Sequence, residues 1–73
     1  MTNTGRSHLE RFMLKRLKLA REEAGLSQAR VAQLLNKTQS YMSKIEAGKS
    51  MVHIAQLKEF SKIYKKRIGY LLK

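Results

Sequence analysis

The sequence predicts a small all-α domain. Apolar residues recur at steps of three and four, nothing alternates with a period of two, and the breaks fall at glycines and capping residues in a chain without proline.

Leu9, Phe12, Met13, Leu17, Ala20 and Ala24 set the first helix, about His8 to Ala24, with Gly25 as a left-handed stop. Ser27 can cap a second helix of about ten residues, with Val31, Ala32 and Leu35 on its inner face. Asn36 terminates it, since Asn tolerates positive φ better than other residues with a side chain. Thr38 caps a third helix, with Met42 and Ile45 three apart on its inward side and Gly48 at its end. Ile54, Leu57, Phe60, Ile63 and Tyr64 form the apolar stripe of a fourth. Gly69 stands near a short last segment ending in Tyr70, Leu71 and Leu72. Residues 1–7 are polar and small and read as a flexible N-terminal arm, and residues 8–73 as one domain.

Sixteen Lys and Arg stand against five acids, Glu10, Glu22, Glu23, Glu46 and Glu59, for a net charge of +11 in 73 residues. Such a field implies a polyanionic partner, nucleic acid first and an anionic membrane surface second. A chain this short buries only about 60% of its unfolded surface, so its stability is expected to lean on further support. There is no cysteine, and His8 and His53 are too few for a zinc site, so no metal or other cofactor is expected and dimerisation is the remaining route. Lys15, Arg16 and Lys18 interrupt the stretch from Phe12 to Leu19, and no run approaches a membrane span. No secretory leader and no membrane association are expected, and the location expected is the cytoplasm. Without a carboxylate pair, a cysteine or a glycine-rich phosphate loop, the chain is not expected to be an enzyme.

Only Asn36, Lys37 and Thr38 separate the second and third helices, and so short a connection forces a steep crossing, as in a helix-turn-helix unit. Ala32 suits the close approach. Once Met42 and Ile45 turn inward, Gln39, Ser40, Tyr41, Ser43 and Lys44 remain outside. Gln pairs bidentately with adenine N6 and N7, and Lys reaches guanine O6 and N7 or a phosphate, so this surface suits a major groove. Gln39, Ser40, Ser43 and Lys44 are the candidate base readers. Thr38, Tyr41, Lys37 and Lys49 are candidate contacts to the DNA backbone, Tyr41 because of its bulk or else as a wedge against the loop before helix four. Lys65, Lys66 and Arg67 read as a solvated face, and His53 as a cap or surface residue.

Gly25-Leu26-Ser27-Gln28, the Val31-Ala32 pair, the run from Thr38 to Glu46 and Gly48-Lys49 fall in one register. From about Leu17 to Leu72 this pattern resembles the phage repressor and Cro family, the xenobiotic-response-element type of transcriptional regulator. The resemblance implies a five-helix, lambda-repressor-like domain of bacterial or phage kind. Its third helix would read duplex DNA and its second would lie across the backbone. It implies that Gln28 contacts phosphate and buttresses Gln39, and that Arg21 and Glu46 form a structural ion pair. The surplus apolar residues Ile68, Tyr70, Leu71 and Leu72 are the interface candidates, consistent with homodimer use in the family, or else they cap the open end of the core. Short members that pair with toxins leave a second reading open, an antitoxin-like module that binds a partner protein. Three departures stand out: Asn36 where Gly is usual, Ser50 to His53 where a Pro-Ser or Pro-Thr start to helix four is common, and the bulk of Tyr41.

Overall fold

The computed structural model describes residues 8–72, with side chains from residue 10 onward. The expectations for the arm at residues 1–7, and for the side chains of His8 and Leu9, lie outside the described residues. Five helices follow in order, α1 (His8–Glu23), α2 (Gln28–Leu34), α3 (Gln39–Glu46), α4 (Ile54–Tyr64) and α5 (Ile68–Leu72), with no strand among the described residues.

The first four helices stop in the same way. Within two residues of each end the chain takes a left-handed conformation, at Gly25 (φ 73°), Asn36 (φ 59°), Gly48 (φ 77°) and Lys65 (φ 56°). Each time the next amide donates back five residues: Leu26 to Arg21, Lys37 to Ala32, Lys49 to Lys44 and Lys66 to Ser61. This paired closure satisfies carbonyls that a helix end otherwise leaves bare. Glycine meets the need without steric penalty, and Asn36 meets it as its residue type allows. The sequence offered no such sign at Lys65, where the Ser61 hydroxyl also donates to the Lys66 carbonyl.

The core draws on all five helices: Leu17 and Ala20, Val31 and Ala32, Met42 and Ile45, Leu57, Phe60 and Tyr64, and Leu71. The Phe60 and Tyr64 rings stack at 5.7 Å. Four expectations need correction. Helix two is seven residues long and not about ten, with Leu35 as its C-cap, although Leu35 still packs against the core. Phe12 and Ala24 are exposed, not inward; Phe12 lies under the Arg16 guanidinium at 5.1 Å. Ile54, spaced to join the stripe of helix four, is 61% exposed, because it opens the helix ahead of the packed turns. Leu71 is 0% exposed, so it closes the core of its own chain and has no surface for a second one.

Helix α5 is one and a half turns long and includes Gly69. A helix so short does not persist alone, so its fixtures are tertiary. Leu71 plugs the core, Arg16 Nε donates to the Tyr70 carbonyl at 3.1 Å, and the same guanidinium lies 4.3 Å from the Tyr70 ring centre. Lys66 stands 4.7 Å from that ring and pairs with Glu23 at 2.9 Å.

Candidate nucleic-acid interface

The short connection Leu35 to Thr38 sets α3 across α2, and Met42 and Ile45 bury its inner face. At its start the Thr38 hydroxyl accepts a hydrogen bond from the Tyr41 amide at 3.1 Å. That occupies the acceptor side of the hydroxyl and leaves its hydrogen free to donate.

At the other end Glu46 is held from two helices. Arg21 grips it as a fork, Nε to Oε2 at 2.7 Å and Nη2 to Oε1 at 3.1 Å, with side chains only 11% and 6% exposed. Bidentate geometry fixes direction as well as distance. The third guanidinium nitrogen, Nη1, donates to the Leu26 carbonyl at 2.8 Å, while the Leu26 amide returns a bond to the Arg21 carbonyl. The Glu46 hydrogen bond raises the Arg21 pKa above its ordinary value despite the opposing cost of burial. Gln28 adds a third hand, Nε2 to Glu46 Oε1 at 3.0 Å. Its brace is therefore to Glu46; among the described residues its side chain makes no hydrogen bond to Gln39.

A separate tie runs from the middle of α3 to α4. Gln56 Nε2 donates to the Tyr41 hydroxyl at 2.8 Å, while Gln56 Oε1 accepts from the His53 amide at 2.6 Å. His53 is thus the N-cap position of α4, and Tyr41 is half-buried as a wedge against the start of that helix. Lys37 Nζ lies 5.3 Å from the Tyr41 ring centre, within cation–π reach. The sequence reading passed over Gln56. The signal that would have found it is the capping-box spacing, a Gln three residues after the N-cap.

The remaining site residues are exposed, and no other described residue hydrogen-bonds or ion-pairs with their side chains. Gln39, Ser40, Ser43 and Lys44 lie on α3. Lys37 and Lys49 are exposed on either side of α3. The arrangement is a short helix held at Glu46 and through Tyr41, whose free face carries donors and acceptors with a cation on either flank. Such a face can make hydrogen bonds to base edges and phosphates but holds no activated nucleophile.

No helix among the described residues is long and apolar enough to cross a membrane. A family model described as helix-turn-helix matches residues 17–71, which takes in the core of α1 through α5. None of the curated proteins and none of the solved structures matches the chain.

Proposed function

Because the chain belongs to the Cro/C1-type helix-turn-helix family of DNA-binding regulators, we propose that it is a sequence-specific transcriptional regulator. It binds duplex DNA in the cytoplasm as a homodimer on a palindromic operator, with α3 in the major groove. One observation carries the reading: Gln39, Ser40, Ser43 and Lys44 are exposed and uncommitted on a helix whose other face is buried and which is tied through Tyr41 and Glu46.

Gln39 then reads adenine, Ser40 and Ser43 donate to or accept from base edges, and Lys44 takes guanine or a neighbouring phosphate. Lys37 and Lys49 neutralise phosphates on either side. Thr38 and Tyr41 have hydroxyl oxygens that already accept bonds from within the chain, and each keeps its hydrogen for a phosphate oxygen. Gln28 likewise keeps one amide hydrogen beyond the bond to Glu46. Dimer contacts fall to the half-buried Ile68, Tyr70 and Leu72, with Leu71 withdrawn into the core. The alternative is an antitoxin-like module that binds a partner protein; with Leu71 in the core, the last helix offers such a partner only the half-buried Ile68, Tyr70 and Leu72.

Selection of bound sites from a random duplex pool tests the proposal. A two-fold symmetric site with half-sites one helical turn apart, ~34–36 Å, is the expected outcome. A pool that enriches no sequence would overturn it.

A further inference from the structure

Away from α3, a cleft of about 580 Å³ opens between the turn after α1, the end of α2 and the end of α4. Its apolar wall includes Leu26, Leu34 and Ile63, and Leu34 is 49% exposed although nothing about its helix requires an apolar residue there. Tyr64 lines the same cleft. Only 3% of that residue is exposed and its ring is stacked on Phe60, yet its hydroxyl has no hydrogen-bond partner among the described residues. No polar side-chain atom among the described residues is both sealed and unpartnered, so the Tyr64 hydroxyl keeps some access, and the residue contributes to the lining of the cleft.

The rim carries Glu23, Lys65 and Lys66. Glu23 and Lys66 are taken up with each other at 2.9 Å. The Lys65 ammonium has no acidic partner among the described residues, and it is carried on a left-handed residue with φ 56° and ψ 44°. Apolar walls, one buried hydroxyl without a partner and one uncompensated cation in a space of this size are the make-up of a small-molecule site.

We infer that this cleft binds a small amphipathic carboxylate, with its apolar body against Leu26, Leu34 and Ile63, and its oxygens toward Lys65 and the Tyr64 hydroxyl. The net positive charge of the chain favours an anion over a cation there. The paired state of Glu23 also leaves no free carboxylate for a cationic ligand. The Leu26 wall is joined by its carbonyl to the Arg21 guanidinium that holds α3, so the site lies one hydrogen bond from the clamp.

The test is a titration of the whole chain with 1-naphthoate, followed by amide and methyl resonances, beside 1-naphthalenemethanol as the uncharged probe. Saturable shifts confined to the cleft residues are expected, with naphthoate held about threefold more tightly than the alcohol, the preference an exposed cation confers. Tyr64→Phe keeps the ring and should weaken naphthoate by about threefold to tenfold. Lys65→Gly relieves the left-handed strain while removing the cation, so the chain stays folded and the preference for the acid should vanish. Leu34→Trp should fill the cleft and abolish the shifts of both probes. Shifts spread without saturation over the cations of α1 and α3 would overturn the inference, and so would binding unchanged in Leu34→Trp. No DNA enters the measurement, so its outcome is separate from that of the operator selection.

Discussion

The Tyr41 hydroxyl accepts a hydrogen bond from Gln56 at 2.8 Å, and through it the helix that faces outward is fastened to α4. The same Gln56 side chain also holds the His53 amide, so one residue both starts α4 and restrains α3. Tyr41 had two sequence readings, backbone contact or wedge, and this bond makes it a wedge whose hydroxyl hydrogen is still unspent.

If the tie acts through position, Tyr41→Phe and Gln56→Leu should each lower stability by about 0.5–1.5 kcal/mol. The double variant should cost less than the sum of the two. Urea unfolding of the four proteins measures the coupling, and strict additivity would mean that the bond holds nothing in solution.

Removing one side of the Arg21–Glu46 fork strands the other charge among half-buried neighbours. Glu46→Ala or Arg21→Ala should cost about 2–3 kcal/mol, somewhat under a fully interior pair because water reaches its edge. Arg21→Met combined with Glu46→Leu should recover much of the loss. Gln28→Ala, which leaves the fork intact, should cost about 1 kcal/mol. Denaturant midpoints at constant slope distinguish these cases.

Glu23 and Lys66 provide a pH signature at the far side of the molecule. The hydrogen bond and charge of Lys66 hold the Glu23 carboxyl below its ordinary value, and Glu23 in turn holds Lys66 above its own. A depressed acid stabilises above its unfolded value of 4.5 and loses that contribution as pH falls through the folded value. The raised base stabilises below its ordinary 10.5 and loses that contribution as pH rises through its folded value. Both groups face water, so the effect belongs in an NMR titration more than in a melt. Lys66→Gln should move the Glu23 midpoint upward.

On DNA, Gln39→Ala should change which operator variants are preferred, by about 1–3 kcal/mol at one base pair. Lys49→Gln should weaken all sequences alike and make the salt slope shallower by about one. With six to eight phosphates neutralised, the parent slope should be about −5 to −7. Affinity measured on a panel of single-base variants at several salt concentrations separates the two effects. An unchanged preference in Gln39→Ala would remove base reading from this helix.

Much of this was legible in the chain, and the remainder has physical reasons. Ser27, Thr38, Gly25, Asn36 and Gly48 announced the first three helices, because capping and left-handed closure select among few residue types. Lys65 gave no sign, since a lysine in that conformation is tolerated by its surroundings and not chosen for it. Leu71 was grouped with surface candidates because five residues are too few to fix the phase of a helical stripe. Ile54 opens its helix, where the spacing still fits the stripe but the side chain lies ahead of the packed turns. The outward residues of α3 were found by subtracting the buried ones, whereas Gln56 required knowing which neighbour Tyr41 leans on.

The residues that hold α3 are Arg21, Gln28, Glu46, Gln56 and the Thr38 cap, and none of them is among Gln39, Ser40, Ser43 and Lys44. Mount and message are written in different letters. The four outward positions can be randomised together as a library on an unaltered scaffold, and a lineage could likewise drift to a new address by point changes without passing through an unfolded ancestor.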